Sequence, residues 1–346
     1  MKVWKLGDTI HSSPTVVAAP QERYDVIYGD TTYTDYFKKY KDRRQVVYVG
    51  ANDGMLHAFN GGFYHRGDDP ATTASNEVEH GWFTTTASGV TNTPPLGDEL
   101  WGFIPQELLP HLRWLTQGDY THVYYVDLKP KVTDARIFTP DAAHPNGWGT
   151  ILIGGFRLGG SCGNCPAGDA PPMSVTADFD NNAGTPDTTR TFYSAYFVLD
   201  ITDPEQDPTL LWSFSQADVG LTTNYPTVVR VNPSTKPKTD NSIAKWFITF
   251  GTGPTSYDAD SAQASQMFAL EMSKPWSLGS SLVVSTFPTG DATSFMGDVI
   301  SLDADLDYRV DTLYQGNVIN NGSNPDWAGK LYRLTTGDPT DSDTFG

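Results

Sequence analysis

VVYVGANDGMLHAFNGG, residues Val46 to Gly62, places two apolar stretches on either side of a polar turn. Val46, Val47, Tyr48 and Val49 are β-branched or aromatic, and the second stretch closes on Ala58 and Phe59. Between them Asn52, Asp53 and Gly54 are residue types that tolerate positive φ, so the segment predicts a two-stranded hairpin. The first strand is almost continuously apolar, which implies burial on both faces, as in the inner strands of a crowded β body.

The same phrase returns along the chain, as an apolar strand, a glycine-rich turn and a strand ending in an aromatic or Leu. It is seen in LIGGFRLGG with YFVLDI, in FITFGTGP with MFALEM, and in LYQGNVIN with GKLYRL. Strand-rich units of about 40–50 residues are the period of propeller blades. Across 346 residues that period gives about seven blades. The expected fold is therefore all-β, a modified seven-bladed β-propeller with little helix, forming one domain over residues 1–346; a pair of β-sandwiches is the structural rival. Two long polar segments, about 61–98 and 161–190, read as loop insertions. QELLPHLRWL (residues 106–115) is the best helix candidate, although Pro110 interrupts it. The abrupt opening and close suggest an excised piece of a longer protein.

With 41 acidic against 23 basic residues the net charge is −18. Such a surface repels phosphate backbones and excludes a nucleic-acid partner, while it suits divalent cations or a basic protein. No run of 18 apolar residues is present, so no segment is expected to span a bilayer as a helix, and the first residues lack the apolar stretch of a signal peptide. No nucleophile–base pair, phosphate loop or paired catalytic carboxylates can be picked out, so no enzyme is expected.

SLDADLDYRVDTLYQG, residues Ser301 to Gly316, carries the strongest chemical signal. Asp303, Asp305, Asp307 and Asp311 form D-x-D-x-D-x-x-x-D, alternating with apolar residues as a half-buried strand would. Acids two apart on one face of a strand lie only about 7 Å from each other, and Asp is a poor strand former. A cation removes that repulsion. Calcium takes six to eight oxygens, and loops with acids at positions 1, 3 and 5 wrap it. Asp303, Asp305, Asp307 and Asp311 are the expected ligands, with the Arg309 backbone carbonyl at position 7 and its side chain pointing outward. Tyr308 stands where an EF-hand has Gly, and Tyr314 where it has the bidentate Glu, so affinity is expected at the weak end.

Cys162 and Cys165, in GGSCGNCPAG, are the only cysteines. Pro166 occupies the place a c-type haem site gives to His, and a single CxxC excludes a four-thiolate zinc site, which leaves a local disulfide as the favoured reading. Arg66, Gly67 and Asp68 spell RGD inside the first insertion, a candidate host-ligand motif. His57, on an apolar strand, reads as a satisfied core histidine.

LGDTIHSSP (residues 6–14), VVYVGANDGMLHAFN and DADLDYRVDTLYQGN with GKLYRL together resemble the C-terminal domain of the PilY1/PilC family of type IV pilus-associated proteins. The resemblance covers nearly the whole chain and implies a modified seven-bladed propeller with a calcium loop on one blade, whose ligands map to Asp303, Asp305, Asp307, Arg309 and Asp311. It implies an exported protein of the outer membrane, cell surface and fimbrium. It also implies a non-enzymatic calcium-binding module that supports pilus extension by countering retraction, and so twitching motility, and that contributes to adhesion. Pilins or minor pilins are the implied partners, with host-cell or surface ligands beside them. Two alternatives stand next to this reading. ANDGMLHAF also resembles the blade phrase of quinoprotein dehydrogenases, though no adjacent cysteine pair accompanies it, and the RGD could make the chain an integrin-binding adhesin.

Overall fold

The computed structural model describes residues 6–71, 80–163, 171–182, 184–232, 244–272, 284–320 and 327–337. Strands dominate, and they fall into successive antiparallel meanders. The first sheet contains β1 (Thr15–Val17), β2 (Gln45–Gly50), β3 (Leu56–Arg66), β4 (Gly81–Thr84) and β5 (Glu99–Phe103), with β4 and β5 both pairing β3. The second holds β6 (Lys131–Arg136) and β7 (Trp148–Gly155), continued, after the hairpin β8 (Met173–Ala177) and β9 (Thr188–Phe192), by β10 (Tyr196–Asp200) and β11 (Thr209–Phe214). The third runs through β12 (Thr227–Val231), β13 (Lys245–Gly251), β14 (Gln266–Glu271) and β15 (Val284–Pro288). The fourth is β16 (Ser294–Leu302), β17 (Thr312–Asn320) and β18 (Trp327–Thr335).

The quoted hairpin is β2–β3, with Val47 opposite Phe59 and Tyr48 opposite Ala58. Its turn closes on Gly54, whose φ of +99° is the conformation that glycine adopts without strain, and Asp53 Oδ1 accepts the Met55 N–H at 3.2 Å.

Alternation along the strands builds three face-to-face interfaces in sequence. Val46, Tyr48, Leu56 and Ala58 of the first sheet meet Leu152, Phe197 and Leu199 of the second. The opposite face of the second sheet, with Ile151, Ile153, Val198 and Phe214, packs against Ile248, Phe250, Phe268 and Leu270 of the third. Val229, Phe247 and Met267 on the other face of the third sheet then meet Met296, Val299, Leu313 and Leu334 of the fourth. Every residue of β7 is buried, because it is sandwiched on both sides. Each large apolar side chain removed from water in this way contributes roughly 1.5–3 kcal/mol. The series stops at the fourth sheet, where Ile300 and Leu331 remain 69% and 71% exposed, with Leu302 and Trp327 also outward. Among the described residues there are four such sheets and one separate hairpin; no sheet closes on itself.

Two corrections to the sequence reading concern the helices and the insertions. Gln106–Thr116 is a 3-10 run rather than an α-helix, as Pro110 inside it requires. The one sizeable α-helix among the described residues was not anticipated. After a single turn, α1 (Tyr24–Ile27), comes α2 (Thr31–Tyr40), capped by Asp30, whose side chain accepts the Thr32 N–H at 3.1 Å. Tyr33, Tyr36 and Tyr40 form its buried stripe, and the hydroxyls of Tyr33 and Tyr36 donate to Asp134 at 2.6 and 3.1 Å. The insertions are not bare loops either, since β4 and β8 lie within them and β9 begins at the end of the second.

Candidate metal centre

The β16–β17 connection is the aspartate segment. It leaves β16 at Leu302 and rejoins β17 at Thr312, directly across the ladder, and the Asp311 N–H closes it on the Leu302 carbonyl at 2.9 Å. One carboxylate oxygen from each of Asp303, Asp305 and Asp311 lies within 4.8 Å of the other two. Twice a calcium–oxygen distance of about 2.4 Å is about that span, and three ionisable oxygen donors suit a hard divalent cation. Asp307 is not one of this convergent trio. Its Oδ1 accepts the Arg309 N–H at 2.9 Å, and burial, reinforced by Asp305 and Asp303 and opposed by Arg309, lifts its carboxyl above the ordinary range.

The backbone is wound around the acids. Asp307 N–H donates to Asp303 Oδ1 at 3.2 Å and to Asp305 Oδ1 at 3.1 Å, Tyr308 N–H to Asp303 Oδ2 at 3.0 Å, and Ala304 N–H to Asp311 Oδ2 at 2.7 Å. The winding needs positive φ at two non-glycine residues, Leu306 (+58°) and Tyr308 (+71°). Tyr308 thus adopts the geometry expected of position 6 without being glycine. Arg309 departs from expectation: its side chain does not point outward. Its Nη2 lies 3.4 Å from Asp311 Oδ1 and 3.8 Å from Asp307 Oδ2, drawn in by the crowded negative charge.

Burial explains how Tyr308 tolerates its backbone. Its ring stacks on Tyr28 at 4.2 Å, the buried Arg230 guanidinium sits 3.9 Å above it, and its hydroxyl donates to Asp30 Oδ2 at 3.3 Å. Arg230 also holds the loop's main chain, its Nη1 donating to the Tyr308 carbonyl at 2.6 Å and its own carbonyl accepting the Val310 N–H at 2.9 Å. Sequence reasoning missed this anchor. The available signal was one arginine inside the apolar strand PTVVRV.

The remaining candidates lie elsewhere. Arg66 and Asp68 are exposed at the end of β3, with Gly67 between them at φ +98° and its N–H on the His80 carbonyl at 3.2 Å. Cys162 is buried with Sγ 3.2 Å from the Thr255 carbonyl oxygen, while Cys165 lies outside the described residues. His57 is buried between two acids, Nδ1 2.6 Å from Glu99 Oε1 and Nε2 3.1 Å from both Asp53 oxygens. Burial opposes its charge, yet the hydrogen bonds to Asp53 and Glu99 win and raise the imidazole above its ordinary value.

Consecutive antiparallel meanders stacked face to face make this an all-β domain, and comparisons with solved and curated proteins show what it is similar to. The fold is shared with the crystal structure of the PilY1 C-terminal domain from Pseudomonas aeruginosa, at TM-score 0.52 and 21% identity, covering 95% of this chain and 50% of that one. The chain is 28% identical over 264 residues to a type IV pilus biogenesis factor PilY1 homolog of Xylella fastidiosa. It is also 28% identical over 268 residues to the type IV pilus biogenesis factor PilY1 of Pseudomonas aeruginosa. Both matches take in 75% of this chain, which spans only 15% and 16% of the two relatives. No family model matches. The resemblance read from the sequence thus stands: the chain's curated homologues are PilY1 proteins and PilY1 homologs.

Proposed function

We propose that the chain is a calcium-binding, non-enzymatic module of a type IV pilus biogenesis and adhesion factor, acting at the pilus or cell surface. In this reading it supports pilus extension by countering retraction. The observation that carries the metal is the convergence of Asp303, Asp305 and Asp311 oxygens within 4.8 Å, on a loop whose amides already orient them. Calcium would sit among these carboxylates, with Asp307 and the Arg309 carbonyl completing the shell once the Arg309 guanidinium withdraws. The metal neutralises the carboxylate repulsion; Tyr308 and Arg230 pass the loop's order to the helical segment beside it. Calorimetric titration of calcium tests this, and a heat trace unaltered by Asp305→Asn would remove the ligand assignment. The relatives are named as biogenesis factors rather than enzymes, which favours the non-enzymatic reading.

The finer fold reading is a seven-bladed propeller of which these four sheets are blades. The face-to-face stacking of consecutive antiparallel meanders and the fold shared with the solved domain favour it. A second role is favoured by the exposure of Arg66 and Asp68 around Gly67: host-ligand binding through RGD. Competition with a soluble RGD peptide in a cell-binding assay tests that role, and no competition removes it.

A further inference from the structure

Behind the aspartate loop lies a cavity of about 310 Å³, walled by side chains from α1, β6, β12, β13, β16 and the loop itself. Its hydrogen-bonding capacity is lopsided. Trp246 on this wall is 3% exposed, and its indole Nε1 is buried with no hydrogen-bond partner among the described residues. A buried donor left unpaired is rare enough to call for an acceptor. Lys131, also on the wall, makes no direct ion pair among the described residues and is attracted to Glu22 only through space; its Nζ sits 5.5 Å from the centre of the Tyr225 ring. The hydroxyls of Thr227 and Ser301, 3.4 Å apart, hydrogen-bond to each other and leave one O–H of the pair to donate. The acids on the same wall are already engaged. Glu22 accepts the Thr133 hydroxyl at 2.8 Å, and Asp303 takes two loop amides.

We propose that this cavity binds a small organic carboxylate, with Lys131 meeting its charge and Trp246 Nε1 donating to one of its oxygens. The volume falls at the lower end of small-ligand sites, which suits a short acid rather than a polymer. Asp303 lines the cavity and also belongs to the convergent trio. Resting on the calcium reading, a cation in the loop cancels the negative charge nearest the bound acid, so calcium and carboxylate bind with positive, reciprocal coupling.

The test is calorimetry with succinate, its uncharged diamide as control, and the variants Trp246→Phe and Lys131→Met, each checked by circular dichroism. Wild type should bind succinate saturably at millimolar concentrations and ignore the diamide. Either variant should lose roughly tenfold in affinity, the worth of one charge-assisted hydrogen bond, with an unchanged spectrum. Should one variant misfold, the other still decides. No saturable succinate heat, equal binding of the diamide, or unaltered affinity in a folded variant would overturn the proposal. With chelator present, weaker but persisting binding supports the coupling, and equal affinity with and without calcium refutes it. Calcium binding without succinate binding would sink the cavity alone, whereas succinate binding in a protein that ignores calcium would leave the cavity and sink the metal reading.

Discussion

Leu306 and Tyr308 share one backbone peculiarity and differ in burial, so replacing each by glycine should move stability in opposite directions. A left-handed backbone costs a non-glycine residue roughly 1–2 kcal/mol, while glycine adds about 0.5–1 kcal/mol of unfolded-state entropy. Leu306, at φ +58°, is 57% exposed and has little packing to lose. Leu306→Gly should therefore gain about 0.5–1 kcal/mol. Tyr308, at φ +71°, is 3% exposed. Removing a buried aromatic ring costs about 3–5 kcal/mol, and the hydrogen bond to Asp30 about 1 kcal/mol more, so Tyr308→Gly should lose roughly 3–5 kcal/mol after the strain is released. Urea unfolding at neutral pH, with chelator in every cell, measures both changes without metal linkage. A stabilised Tyr308→Gly would mean that the ring does not anchor the loop, and would refute the coupling of loop to core.

Three further outcomes can be measured. Asp305→Asn, removing one of the three convergent carboxylates, should weaken calcium at least about tenfold; an unchanged calorimetric Kd contradicts the site. His57→Gln should destabilise by about 2 kcal/mol, and most of all in mildly acidic solution. His57 sits above its ordinary value, so its contribution is complete below about pH 6.5 and fades as pH rises through the folded value. Asp53 sits below its own ordinary value, burial opposing and the His57 and amide hydrogen bonds prevailing, so its share fades only as pH falls through that depressed value. A gap between wild type and variant that grows from pH 6 to pH 9 would reverse this assignment. Finally, Ile300→Lys combined with Leu331→Glu should abolish concentration-dependent sedimentation if the bare face of the fourth sheet is sticky; a wild type that already sediments as a monomer at all concentrations counts against it.

Much of this was legible in the sequence because strand and turn signals are local. Val46–Val49, the residues 52–54 turn and Ala58–Phe59 specify their hairpin with period-two patterning and one glycine, and the fold puts them there. The acidic spacing of 303, 305 and 311 was equally plain, since a wound loop brings alternate residues together. What stayed hidden depends on distant partners. Helix α2 escaped notice because its apolar stripe is built of tyrosines among threonines and lysines, residues that read as loop until Asp134, a hundred positions away, receives their hydroxyls. Likewise the inward turn of Arg309 follows from the local field of the carboxylates, which no spacing rule encodes. A strand period also does not say which strands are spent on excursions such as the β8–β9 hairpin, which pairs with none of the four larger sheets.

The hydroxyl of Tyr308 reaches Asp30 across 278 positions of chain, and Asp30 is also the residue that starts α2. The cap of α2 is therefore tied to a tyrosine from the far end of the described fold, the one that lies over Tyr24 and Tyr28. Tyr24 already packs on Trp148 and Trp246, so the ring from the acid loop is the last cover in chain order, and the loop latches the first helical turn to the opposite end of the fold.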